Sequence, residues 1–284
     1  MTAPGHADLT VDAFLDNEDS EEIRNPIHST SFARRYGFRG ALVGGVTVWG
    51  WATPAILEAA GEGWLDRGWA DFAFRHPTYP GDRLTIRVRP EGERGDGTFS
   101  VTMTNRDGVE CVVATVGLGD APWLGELQTP SRLAAGPAPR PKPPLLLERA
   151  RPGEDLVPKA FPMSAEDARA YMRESQRTDD ARFTGERPRL HPGWIAGRVE
   201  ELLRHNYALP SSMHTRSRVQ HLAPAYAGQT VTAAARLIEA YERKGHHFGV
   251  FDCVIAGEDG TELARIRHWT IFRIAPPDER VKSY

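Results

Sequence analysis

Apolar residues in this chain follow two regimes, an apolar helix-like stretch and then strand-like alternation, and the pair of regimes occurs twice. Val46 to Ala60 (VTVWGWATPAILEAA) is apolar on almost every face, which describes a buried helix rather than a surface one. Gly50 and Pro54 within it predict a kink or a close packing contact, because proline removes an N–H and glycine removes a side chain. Period-two alternation follows from Trp69 to Arg75, and from Arg83 to Arg89 beyond the turn at 77–82 (PTYPGD). It continues as a strand, turn and strand over Phe99 to Gly117, with the turn at Asn105 to Gly108. Ahead of all this, the segment to Glu22 is polar and gives at most a weak helical reading.

From Pro122 to Pro158 the pattern dissolves into Pro, Ala, Arg and Lys, a composition that predicts an extended surface linker with little regular structure. Beyond it, Ser164 to Asp167 resembles a capping box opening a helix to about Arg177. Trp194 to Tyr207 is the second apolar helix. Strands are expected at Ser217 to His221, Thr230 to Glu239, His247 to Ile255 and Thr261 to Ile274. Pro77, Tyr79 and Gly81 recur as Pro224, Tyr226 and Gly228, all displaced by 147 residues. Gly108 recurs as Gly260, displaced by 152, as a hairpin five residues longer would require. Gly44-Gly45 before the first helix is matched by His191-Pro192-Gly193 before the second. Two copies of one helix-plus-meander unit follow, with domains at 1–121 and 159–284 joined by a linker at 122–158.

Composition narrows the class of protein. With 40% hydrophobic and 26% charged residues and a net charge of −3, the chain reads as globular, with no pull toward nucleic acid or a membrane surface. It has no run of eighteen apolar residues and no basic start followed by an apolar core, so the expected location is cytoplasmic. Cys111 and Cys253 stand far apart with no ligand-like neighbour, which reads as packing, and neither a metal nor a cofactor is expected.

The residues that suggest chemistry lie in one stretch. Asn25-Pro26 forces a turn that presents His28, whose side-chain type titrates near neutrality. Ser29 or Thr30 can cap a short helix over Phe32, Ala33 and Tyr36, and Gly37 can end it. The Asn-Pro-Ile-His turn, the Gly44-Gly45 step into a buried helix, and the later Pro-Thr-Tyr-Pro-Gly-Asp before a strand together resemble the MaoC-type enoyl-CoA hydratase and dehydratase family. The likeness covers about Ile23 to Gly117, and reaches the second half through the internal repeat.

That resemblance implies an α+β double hotdog: two antiparallel sheets, each wrapped around a central helix, lying side by side as a pseudo-dimer. It implies addition or removal of water at the double bond of an acyl thioester, carried on coenzyme A or a carrier protein, with homodimerisation left open. His28 and Asn25 fall on the family's histidine and asparagine, and the amides at Gly44 and Gly45 on its oxyanion donors. Three positions depart from the family: Ile23 stands where it has Asp, Val43 where it has the His of a His-Gly step, and Thr30 where it has a second carboxylate. A replacement acid or base is therefore expected, from Glu21 or Glu22, or from Asp179, Asp180 or His191 of the second half. His191 ranks first because it precedes the matching helix. Changed chemistry such as thioester hydrolysis, or a non-catalytic acyl-binding or scaffolding role, are the competing readings. Trp49, Trp51, Trp64 and Trp69 read as core, Tyr79 and Tyr226 as structural turn residues, and His246-His247 with Arg265 to His268 as solvated strand edges.

Overall fold

The computed structural model describes residues 5–21, 23–91 and 97–280. The first half begins with strand β1 (Ala7–Asp12) and helix α1 (Thr30–Arg35), then α2 (Gly45–Gly50), α3 (Thr53–Ala60) and α4 (Trp64–Arg67). Its meander is β2 (Gly68–Phe74), β3 (Arg83–Pro90), β4 (Thr98–Thr104) and β5 (Glu110–Leu118). The second half repeats the plan with β6 (Lys159–Met163), α5 (Ala165–Tyr171), α6 (Ala181–Thr184) and α7 (Pro192–Asn206). Its meander is β7 (Met213–His221), β8 (Gln229–Arg243), β9 (His246–Ala256) and β10 (Glu262–Arg273).

The two sheets expected from the sequence are joined into one. Ten strands run in the order β1-β3-β4-β5-β2-β7-β10-β9-β8-β6, which reads as the same half-order from either end. The joint is the antiparallel pairing of Trp69–Ala73 with Arg216–Gln220. Each half would otherwise leave a bare edge here, and pairing the edges satisfies their amides. Asp71 locks the joint, taking hydrogen bonds from Arg216 at 2.8 and 2.5 Å and from Arg218 at 3.0 Å.

The outer edges, β1 and β6, are the elements that the sequence pattern does not announce. β1 alternates, but it is only six residues long; β6 contains Pro162, which an edge strand tolerates because one side of it needs no donor. The single helix expected over Val46 to Ala60 is broken into α2 and α3, with Pro54 in the first turn of α3. Helices α2 and α7 cross closely: a Cβ on Gly193 would lie 2.8 Å from the Val46 carbonyl and 3.2 Å from Gly50 Cα. The capping box at Ser164 and Asp167 is present, and α5 passes into a π turn at Met172–Gln176.

The linker has no strand and two short 3₁₀ turns, yet it is not a loose surface strap. Trp123, Leu127, Leu145 and Leu156 are buried, so its scattered apolar residues each find a packing place. Trp123 meets Trp69 edge to face at 6.2 Å, and Leu156 N donates to the Ala235 carbonyl at 2.8 Å. All four tryptophans of the first half are in the core, and Cys111 and Cys253 are buried free thiols whose pKa values burial raises.

Candidate functional site

Pro26 to His28 form one 3₁₀ turn, and helix α1 follows with Ser29 at its N-cap position. The capping acceptor comes from elsewhere: Asp19 Oδ1 takes hydrogen bonds from Thr30 N at 2.7 Å and Ser29 Oγ at 3.0 Å. Gly37, at φ +78°, closes the helix, with Phe38 N donating to the Ala33 carbonyl and Gly37 N to Arg34. The turn is thereby held at both ends, and His28 with it. His28 Nδ1 lies 2.6 Å from the Leu42 carbonyl. A carbonyl only accepts, so Nδ1 carries the ring hydrogen and Nε2 keeps its lone pair. Burial pulls the His28 pKa below its ordinary value, against the opposing pull of the Leu42 carbonyl, and keeps the ring a neutral base.

His28 lines a cavity of about 360 Å³ between the halves. Ile27, Val48, Phe74, Met213 and Ile271 contribute apolar wall, while Asn25, Glu200 and His214 bring polar groups from both halves. Asn25 does not cap its own turn; its Nδ2 donates to the Ser212 carbonyl at 2.9 Å and its Oδ1 accepts from Ser212 N at 3.3 Å. Ser212 Oγ in turn donates to Glu200 Oε1, and Arg204 pairs with the same carboxylate at 3.1 Å. Glu200 Oε2 is buried and has no hydrogen-bond partner among the described residues. Burial raises the Glu200 pKa, with Arg204 opposing. One cavity thus holds an imidazole biased toward its free base and a carboxyl biased toward its acid, the pattern of an acid–base pair.

Gly44, Gly45 and Val46 also line this cavity, at the start of α2. Among the described residues no group accepts a hydrogen bond from their amides, which leaves them free to meet an oxygen that gains charge. Gly45 is required by packing, since its Cβ would sit 2.9 Å from the Phe74 ring. At Gly44 a Cβ would meet His28 Cε1 at an ordinary 3.7 Å.

The structure corrects the expected partner of His28. His191 is the N-cap of α7, where its Nδ1 accepts from Gly193 N at 3.2 Å, and its ring lines other cavities. The 191 position does precede the matching helix, but it is not among the residues that line the His28 cavity. Asp180 caps α6 and pairs with Arg182, and Glu21 is exposed; Glu22 lies outside the described residues. Val43 is buried with its N–H on the Thr78 carbonyl, and Thr30 Oγ1 donates to Glu18 at 2.8 Å, away from His28. His268, expected at a solvated edge, is fully buried, with its ring 4.1 Å from that of His214. Sequence reading missed Glu200 because it is one polar position among several on α7; only its neighbours Ser212 and Arg204 mark it.

No family model matches this chain, and no curated protein sequence matches it. Among solved structures, a Chloroflexus aurantiacus J-10-fl protein assigned as a MaoC domain dehydratase superposes with a TM-score of 0.65 at 15% identity, covering 94% of both chains. A conserved hypothetical protein from Mycobacterium tuberculosis, described as a double hotdog, gives 0.61 at 16% identity over 95% of this chain and 96% of its own. A Lactobacillus plantarum protein assigned as an oleoyl thioesterase gives 0.50 at 14% identity over 83% and 90%. At such identities the likeness carries the fold: this chain is a double hotdog, the architecture of MaoC-like dehydratases. No helix among the described residues is long and apolar enough to cross a membrane, and no cluster of three or more His, Cys, Asp or Glu could hold a metal ion.

Proposed function

We propose that the chain is a hydro-lyase that adds water to, or removes it from, the double bond of an acyl thioester, with His28 as general base and Glu200 as general acid. The observation that carries this reading is that His28 and Glu200 line one largely apolar cavity, with His28 Nε2 and the buried Glu200 Oε2 both lacking a hydrogen-bond partner among the described residues. In the hydration direction a water oxygen bonds to the β carbon while its proton passes to His28 Nε2. The thioester oxygen gains charge and takes hydrogen bonds from the Gly44, Gly45 and Val46 amides. Glu200 gives a proton to the α carbon, and the His28 proton returns to Glu200 to restore the pair. Exposed Arg75 and His76 at the cavity mouth suit a phosphate-bearing carrier, coenzyme A or a carrier protein.

A panel of 2-enoyl thioesters, on coenzyme A and on a truncated phosphate-free thiol, tests this directly. Turnover is expected in the wild type, with His28→Ala lowering kcat by about two to four orders of magnitude, the usual contribution of a general acid–base group. Full activity in His28→Ala would overturn the assignment. Hydrolysis of saturated thioesters without hydration would make the site a thioesterase, and saturable binding without turnover would make it an acyl-binding cavity.

A further inference from the structure

Helix α2 serves two cavities. Its N-terminal end, at Gly44 to Val48, faces the one that holds His28, and Gly50 with Trp51 at its far end lines a second, of about 400 Å³. In the first half, the stretch between the edge strand β1 and the buried helix supplies His28. In the second half, the corresponding stretch between β6 and α7 supplies Gln176, Asp180, Phe183 and His191 to the second cavity. Leu9, Val11 and Phe14 close it from the β1 side. Its volume lies within the range that small-molecule sites occupy.

The polar groups of this cavity are few and specific. His191 is only 4% exposed, and its ring is held edge to face by Phe183 at 4.8 Å. Because Nδ1 accepts from Gly193 N, the ring hydrogen sits on Nε2, and among the described residues nothing accepts it. Burial lowers the His191 pKa to about 3, so the ring is a neutral donor throughout the physiological range. Gln176, buried and uncharged, lines the same cavity, with Nε2 3.3 Å from the Tyr171 hydroxyl. The three charged residues at the cavity are already paired, Asp12 with Arg83, Arg177 with Asp16 and Asp180 with Arg182. Asp180 stays anionic because its hydrogen bonds from Arg182 hold its pKa down, and it therefore repels a second carboxylate.

We propose that this cavity is a second ligand site, taking a small apolar molecule through a neutral carbonyl, as in an amide or ester, that accepts a hydrogen bond from His191 Nε2–H. The site is independent of the reaction proposed at His28, and its occupancy does not require that reaction.

Hexanamide and hexanoate serve as matched probes, followed by NMR of protein labelled at histidine. Hexanamide is expected to shift the His191 ring signals saturably while leaving those of His28 in place, and hexanoate to shift neither. His191→Asn keeps a good helix cap but removes the Nε2–H, its shorter side chain placing the amide N–H one ring position back, and Val11→Phe fills the cavity from β1. Each should weaken hexanamide binding by about tenfold or more, the worth of roughly one hydrogen bond or one lost apolar contact surface. His28→Ala should leave the affinity within about twofold. If His191→Asn fails to fold, Val11→Phe and the wild-type shifts still decide the matter. Unmoved His191 signals, shifts confined to His28, or an equal response to hexanoate would each overturn the proposal.

Discussion

One hydrogen bond decides what His28 can do. With Nδ1–H spent on Leu42, the ring can only accept at Nε2, which is the state that a general base needs. The asparagine, the histidine and the glycine pair were legible because they stand together in one short motif. Glu200 was not, because its meaning comes from Ser212 and Asn25, the latter pair 187 residues apart in sequence. If His28 and Glu200 act as a unit, Glu200→Gln should cost about as much activity as His28→Ala, and the double variant little more than either. Additive losses in kcat would separate the two residues. At the glycine step the expectations differ by one position. Gly45→Ala drives a methyl into the Phe74 ring and should destabilise the fold by about 1–3 kcal/mol, as overpacking does. Gly44→Ala, with ordinary contact to His28, should change the denaturation midpoint much less.

At the scale of elements, the decisive contact is the crossing of α2 and α7, which brings the glycine step of one half to the glutamate of the other. Glycine at 193 permits it, since a Cβ there would press on the Val46 carbonyl and on Tyr171 Oη at 2.9 Å. Gly193→Ala should therefore cost about 1–3 kcal/mol in chemical denaturation. It should also lower turnover beyond that loss, because displacing α2 moves the Gly44 and Gly45 amides; unchanged kcat in a folded variant would show that α2 need not be held so closely. The longer periodic elements were readable from the sequence, and the short edge strands β1 and β6 were not. β1 alternates for only six residues, and β6 has five residues interrupted by Pro162, which an edge strand tolerates.

Across the whole molecule, buried histidines tie stability to pH. His191 and His214 are lowered to about 3 and His221 to about 4, chiefly by burial, and burial lowers His268 well below its ordinary value as well. The unfolded chain protonates these groups below about pH 6.5 while the folded chain does not. Their contribution to stability is therefore complete above that pH and is lost as pH falls toward 3 to 4, at up to about 1.4 kcal/mol per pH unit for each ring. Urea midpoints should drop steeply between pH 6 and 4.5, and His221→Gln should make the drop shallower; a flat profile would contradict neutral burial. The sequence by itself determined the two helix-plus-meander units, their repeat and the His28 turn, because helical and strand periodicities and turn chemistry act between near neighbours. Only the tertiary structure decided that β2 and β7 join the halves into one sheet, that Glu200 rather than His191 shares the His28 cavity, and that His191 faces another. Those outcomes depend on packing and pairing between segments far apart in the chain, which leave no local pattern in the sequence.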